Sequence, residues 1–273
     1  MRANVYLPKL AKVISVKEEV GGVRSIKTFR TQFLDVGFTH KCGQCAMLSI
    51  FGKGESMISI SSSPLIKDYL QFSILKMGRV TSAIHDLEVG SIIGIRGPYG
   101  NAFPIESWKG RNILFAGGGI GLAPIWSVLQ TALLLKKDYG DLTLIYGART
   151  SPDIVFKEEL ADLKSKMTVH LSIDVAEPEW KEFVGFVAQN ILDKKPSPEN
   201  TIAITCGPPI MIKTCIKALS EIGFKDEQIY TTVENKMKCG IGKCGRCNIG
   251  RHYVCKDGPV YSWAELRQLP QEY

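Results

Sequence analysis

The sequence predicts a small antiparallel Greek-key β-barrel, then a doubly wound parallel α/β sheet, then a short cysteine-rich segment. Three observations carry this reading. Through roughly the first hundred residues, short apolar runs are broken by turn signals. After Phe103-Pro104 the pattern changes to short buried strands separated by stretches of helical length and periodicity. Four of the eight cysteines crowd between Cys239 and Cys255. The expected divisions are residues 1–104, 105–225 and 226–273.

In the barrel, strands are expected over 12–16, 26–33, 46–51, 70–75 and 91–95. Gly21-Gly22, Gly52-Lys53-Gly54 and Gly97-Pro98-Tyr99-Gly100 supply the turns. In the second part, strands are expected over 112–116, 143–146, 168–173 and 202–205, with helices over 124–137, 156–166 and 210–222. Residues 112–135 carry no charge and are long enough to span a bilayer. Gly117-Gly118-Gly119, Gly121 and Pro124 favour instead a buried strand, a tight loop and a buried helix.

Composition narrows the function classes. The chain of 273 residues is 45% hydrophobic, enough for a packed core, and its net charge of +7 is modest. Lys and Arg are scattered, so no nucleic-acid surface is expected, although a basic face for an acidic protein partner is. Residues 1–10 lack the apolar stretch of a secretory signal. Disulfides are therefore a poor account of the cysteines, and a cytoplasmic setting is expected without membrane insertion.

The spacing Cys239-x4-Cys244-x2-Cys247, with Cys255 beyond, is that of plant-type [2Fe–2S] centres. Four thiolates must wrap two irons, and Gly240, Gly242, Gly245 and Gly250 allow the tight fold. Zinc is the alternative. Zinc ligands usually come as two close couples, whereas only Cys244 and Cys247 form one here.

Gly117, Gly118, Gly119 and Gly121 lie between an apolar strand and a helix that includes Pro124. Such a loop lets the backbone approach a pyrophosphate at a helix N-terminus, although it departs from G-x-G-x-x-G. Cys206-Gly207-Pro208-Pro209-Ile210-Met211 also follows a strand and precedes a helix. Ligands bind beyond the carboxyl ends of such strands, so both loops should line one crevice. Cys206 is the candidate catalytic residue, with a small buried hydrophobe as its other reading.

Together these motifs resemble the ferredoxin–NADP reductase superfamily, and especially its electron-transfer subunits. Those of dihydroorotate dehydrogenase, sulfhydrogenase, anaerobic sulfite reductase and heterodisulfide-reductase-associated flavoproteins are similar. The resemblance runs from the barrel through Gly97-Pro98-Tyr99-Gly100, the glycine loop, Tyr146-Gly147-Ala148-Arg149 and the Cys206 loop to Cys255-Lys256-Asp257-Gly258-Pro259-Val260. It implies FAD on the barrel. Ser59, Ile60 and Ser61, opening the run to Ser63, would face the isoalloxazine. Gly78, Arg79, Val80 and Thr81 would hold the FAD pyrophosphate, with Tyr99 also a cofactor residue. Without the other motifs, the serine run would read as an exposed edge strand. Many members carry Arg where Ser56 stands, so Arg79 is expected to supply that charge.

The resemblance also marks Arg149 and Asp174 at the nucleotide. Where NADP-specific relatives have Ser-Arg, this chain has Ser172-Ile173-Asp174. An acid there repels a 2′-phosphate and can bond a ribose hydroxyl, which favours NADH within the broader NAD(P)H reading. Cys42 and Cys45 replace a Pro and an aromatic of relatives. Such a pair can hold metal or form a redox disulfide, but inert packing is the favoured reading.

The implied function is electron transfer between NAD(P)H, FAD and the cluster, and on to or from a catalytic or iron–sulfur redox subunit. No general acid or base is evident, and His85 and His170 read as structural. Lys236, Lys238, Lys243, Arg246, Arg251, His252 and Lys256 surround the cysteines, with only Glu234 and Asp257 as nearby acids, and suggest the docking face. A reductase component of an oxygenase carries its fourth cysteine far from the third, unlike this chain. A zinc-stabilised nucleotide sensor is the reading without redox chemistry.

Overall fold

The computed structural model describes residues 4–270, so residues 1–3 and 271–273, the outer ends of the first and last expected divisions, lie outside the described residues. The first part forms β1 (Lys9–Val20), β2 (Ile26–Phe33), β3 (Cys45–Ile50), β4 (Gly54–Ser59), β5 (Leu70–Leu75), helix α1 (Arg79–His85) and β6 (Ile92–Tyr99). All pairings are antiparallel, in the order β4-β3-β6-β1-β2-β5, and β4 returns against β5. The inward side chains include Val13, Phe29, Leu48, Phe72, Ile93 and Ile95, all buried. Each fully buried side chain of this kind contributes about 1.5–3 kcal/mol.

The second part contains β7 (Asn112–Gly118), α2 (Leu122–Leu134), β8 (Leu142–Ala148), α3 (Lys157–Leu163), β9 (Thr168–Ile173), β10 (Phe183–Val184), α4 (Val187–Lys194), β11 (Thr201–Cys206), α5 (Pro209–Glu221) and β12 (Ile229–Thr232). Strand β11 is buried at every residue, as a strand covered on both faces must be. The uncharged stretch 112–135 becomes β7, a short 3-10 turn and α2. No helix among the described residues is long and apolar enough to cross a membrane.

The last part contains β13 (Asn248–Ile249), β14 (His252–Tyr253), α6 (Val254–Asp257), β15 (Val260–Ser262) and α7 (Trp263–Leu266). The second sheet runs β10-β9-β8-β7-β11-β12-β15, parallel except for β15, which pairs antiparallel with β12. The cysteine-bearing segment is thus joined to the parallel sheet. It also has an apolar cluster of its own, in which Cys247 and Cys255 pack with Val233, Ile249, Val254 and Tyr261.

Strands β2, β5 and β9 coincide with the expected ranges, and the other expected elements lie within a few residues of theirs. Strands β4, β10, β12, β13, β14 and β15 and helices α4, α6 and α7 are additional. Each is short, and β4 has no fully buried position to create an alternating pattern.

The turn after β6 clamps the last segment. Asn101 Nδ2 donates to the carbonyls of Asp257 (3.0 Å) and Val260 (2.7 Å), while its Oδ1 accepts from Val260 N (2.9 Å). Asn101→Ala removes all three bonds and strands two partly buried carbonyls. It is expected to lower stability by about 2 kcal/mol, read as a lower thermal midpoint under anaerobic conditions. An unchanged midpoint would show the clamp to be energetically idle.

Candidate functional site

Strand β7 lies centrally, with β8 and β9 on one side and β11 and β12 on the other. The crossover direction reverses between β7 and β11, which opens a crevice at their carboxyl ends. Cys206 pairs with Gly117 across this point, so the two loops are neighbours. A Cβ on Gly121 would stand 2.4 Å from Gly207 Cα, leaving no room for any side chain. Met211 covers the pair from above, its sulfur beside Gly118 and Gly207. Gly119 has φ +53° and open space beyond its Cα. Tyr146 fixes this loop from below, its hydroxyl donating to Gly119 O (3.1 Å) and accepting from Val155 N (3.3 Å). Pro208 caps α5 with extended ψ, so the second loop ends directly in a helix.

A cleft of about 300 Å³ lies between the first of these loops, at Ile120, and the barrel. Its barrel wall is Ser56, Met57, Ile58 and Ser59 of β4, with Ser73, Ile74 and Leu75 of β5, then Met77 and Thr81. Ile120, Ala123 and Pro124 form the facing wall. Thr232, Val233, Glu234, Asn235, Met237 and Pro259 close the third side. Sequence reading had not singled out this third wall. Its signal was position: all but Pro259 lie at or just beyond the end of the last parallel strand, where ligands meet such sheets.

The expected flavin residues divide. Ser59 lines the cleft. Ile60 sits in the barrel core, and Ser61, Ser62 and Ser63 are fully buried behind it. Ser62 Oγ accepts from Gln71 N (3.1 Å), and Ser63 Oγ shares a 2.7 Å hydrogen bond with Thr131. The serine run is therefore neither an exposed edge strand nor, beyond Ser59, part of the cleft lining. Thr81 Oγ1 accepts from Met77 N and Gly78 N, both at 2.9 Å, and so organises the start of α1. Val80 packs on the barrel core, and the exposed Arg79 donates to Lys53 O (2.9 Å). Tyr99 turns away from the cleft: its ring lies against Gly240 and its hydroxyl accepts from Arg96 (2.8 Å).

Cys206 is buried behind the third wall, with Sγ 2.8 Å from Thr232 Oγ1. Burial pushes its thiol up to about 12, so it is a neutral contact residue rather than a thiolate. Cys45 lines the cleft, while Cys42 bonds Thr131 Oγ1 (3.2 Å) beneath it. Both are free thiols pushed up to about 11 by burial, which fits inert packing. Arg149 and Asp174 are exposed at the carboxyl ends of β8 and β9. Partial burial raises Asp174, and Arg149 acts against that rise, so the two side chains are close enough to interact.

Within the cysteine segment the neighbouring thiols influence one another, Cys244 acting on Cys239 and Cys247 on Cys255. Peptide N–H groups point at the sulfurs: Ile241 and Lys243 donate to Cys239 Sγ at 3.4 Å, and Gly242 to Cys255 Sγ at 3.2 Å. Burial raises Cys239, but these peptide donors outweigh it and bring the thiol down to about 6. Cys255 is pushed up to about 12 by burial and by its neighbour Cys247. Gly240 and Gly242, at φ +79° and +70°, allow the chain to curl around them. Among the described residues no three His, Cys, Asp or Glu side chains gather as a single metal ion would require. Cys244 is the exposed member of the four.

Known proteins agree with this geometry. The family model for an oxidoreductase NAD-binding domain matches residues 115–217. That for the iron–sulfur cluster binding domain of dihydroorotate dehydrogenase B matches residues 234–267, which include all four cysteines. Sulfhydrogenase 1 subunit gamma of Pyrococcus furiosus is 41% identical over 241 residues, covering 85% of this chain and 82% of that one. A probable dihydroorotate dehydrogenase B (NAD(+)) electron transfer subunit of Methanocaldococcus jannaschii is 32% identical, covering 96% and 93%. Among solved structures, an NADH-dependent reduced ferredoxin-NADP oxidoreductase superposes with TM-score 0.74 at 21% identity, over 100% of this chain and 95% of that one, which establishes the shared fold. The chain belongs to the family of sulfhydrogenase gamma subunits and dihydroorotate dehydrogenase B electron transfer subunits.

Proposed function

We propose that this chain is a diaphorase-type electron-transfer subunit. It binds NAD(P)H at the glycine loop, FAD in the cleft and a [2Fe–2S] cluster at Cys239, Cys244, Cys247 and Cys255. It exchanges electrons with a catalytic or iron–sulfur partner subunit in the reducing cytoplasm. One observation carries this: the cleft is walled by the nucleotide loop on one side and, on another, by Glu234 to Met237, the residues leading directly into Cys239. A group lying there touches both the nucleotide site and the approach to the cysteines.

Bound FAD supplies the conversion between a two-electron hydride and one-electron carriers. The chain's own residues hold and exclude. Ser59 and the β5 residues wall one face of the cleft, and Ala123 and Pro124 the other. Gly119 leaves space for a pyrophosphate, and the close approach of Gly121 to Gly207 aligns the two loops around it. Cys206, un-ionised, packs beside Thr232 behind the third wall of the cleft. Thr81 arranges the start of α1 near the FAD phosphates. The Cys239-x4-Cys244-x2-Cys247 spacing, with only Cys244 and Cys247 a close couple, supports two irons over one tetrahedral zinc. Asp174 supports NADH as the preferred donor.

The protein purified anaerobically should be coloured, with flavin absorbance and two irons per chain. A colourless preparation holding zinc would establish the nucleotide sensor instead. Serine at any one of the four cysteines should lower iron content and leave FAD bound. Full iron and an unaltered reduced-state EPR signal in all four variants would sink the cluster assignment.

With a viologen dye as acceptor, NADH oxidation should lose affinity in two glycine variants. Gly119→Val fills the open space over the loop, and Gly121→Ala forces the two loops apart. A rise in KM of about tenfold, near 1.4 kcal/mol, is expected for each. Asp174→Ala should reduce the preference for NADH over NADPH several-fold, the scale of one lost hydrogen bond of about 1 kcal/mol. Parent-like KM in both folded glycine variants would place the nucleotide elsewhere.

The basic residues around the cysteines support a docking face. Among the described residues, none of Lys238, Lys243, Arg246, Arg251 and Lys256 is in an ion pair. Transfer to the partner should slow as salt rises, because steering is screened within about 10 Å at 0.1 M, while reduction of a neutral dye should not. Partner reduction by a Lys243→Glu/Arg251→Glu variant at the parent's rate in low salt would move the face elsewhere.

A further inference from the structure

We propose that Arg96, paired with Glu55, positions the cysteine loop on the barrel and places a fixed positive charge beside the cluster. This rests on the iron–sulfur reading above. Arg96 stands near the end of β6 and is only 5% exposed. A guanidinium so deeply buried is stable only if its donors are met. Here they are met on two sides. Nε and Nη2 grip Glu55 of β4 in a fork at 2.8 and 2.7 Å. Nη1 turns the other way and donates to Tyr99 Oη (2.8 Å) and to the backbone carbonyl of Cys239 (2.9 Å).

That second bond joins the barrel to the first residue of the cysteine motif. Tyr99 completes the joint, because its ring lies where a side chain at residue 240 would project, 2.9 Å from an ideal Cβ on Gly240. The fork fixes the orientation of the charge as well as its place. Carboxylate and guanidinium form a dipole whose negative end is held by Ser49 Oγ (2.6 Å) and whose positive end faces Cys239. A neutral donor would anchor the loop equally well. Arg96 adds a cation next to a thiolate ligand, in a site that gains negative charge on reduction. It should therefore favour the reduced state.

The two halves of the pair give the idea a signed test. Anaerobically purified holoprotein and its Glu55→Gln and Arg96→Met variants are titrated with EPR detection of the reduced cluster, and iron per chain is measured alongside. Glu55→Gln removes the negative end and leaves Nη1 its bonds, so the cluster midpoint should move to a higher potential. Arg96→Met removes the cation and leaves the carboxylate, so the midpoint should move to a lower one. A purely structural anchor predicts no such opposition, since loosening the loop from either partner acts in the same direction. Shifts of one sign in both variants, or none in either, would overturn the proposal. If Arg96→Met holds no iron, Glu55→Gln decides alone: an upward shift supports the proposal, and no shift or a downward one overturns it. A parent protein with normal flavin but no reducible iron–sulfur signal would remove the reading beneath the inference, and the inference with it.

Discussion

The grip of the end of β6 on the cysteine segment is the constraint on which the rest depends. Arg96 holds the carbonyl of Cys239, and Asn101 holds the backbone at Asp257 and Val260, two and five residues past Cys255. The first and last cysteines of the motif are thereby fixed to one strand of the barrel. The segment's other end is fixed by β15 on the edge of the parallel sheet. A loop without these anchors would have little to order it, since its own apolar cluster is small and includes two of the cysteines themselves.

This tethering explains the cleft. The chain leaves β12 at Thr232 and must reach the barrel by residue 239. Its path over those few residues forms the third wall, between the glycine loop and β4. The place where nucleotide loop, barrel face and cysteine approach converge is thus a consequence of topology: a switch point in one sheet, a neighbouring barrel, and a short connection pinned at both ends. Charge follows the same plan. The buried cation Arg96 lies inside the joint, and the lysines and arginines of the cysteine segment, in no ion pair among the described residues, flank the exposed Cys244 in sequence.

Much of this was legible in the sequence. The cysteine spacing and the two glycine-bearing loops are local patterns, and register places Cys206 beside Gly117, which makes the two loops neighbours. Strands β2, β5 and β9 were delimited because their apolar runs end at turn residues. What was illegible was long-range. Ile60 and Ser61 were expected in the cleft, yet the chain turns inward after Ser59, and nothing in five polar and apolar residues announces that turn. Tyr99 was grouped with the cofactor residues, but it packs on Gly240, a partner 141 residues later in the chain. Arg96 drew no attention, because an arginine in a strand reads as a solvated edge until its partners on β4 and at Cys239 are seen. Glu234 and Met237 likewise gain meaning only from the path between β12 and the barrel.

On the function proposed above, nucleotide and cluster communicate through the group in the cleft and by no other route. Rapid mixing of NADH with anaerobic protein, depleted of FAD and then restored with it, tests this directly. Cluster absorbance and reduced-state EPR are followed together with the flavin. In the depleted protein the cluster should not respond. Once FAD is restored, the cluster should equilibrate in step with flavin bleaching. Equal cluster response without FAD would contradict it. So would a cluster that stays isolated from the bound flavin when the protein is reduced.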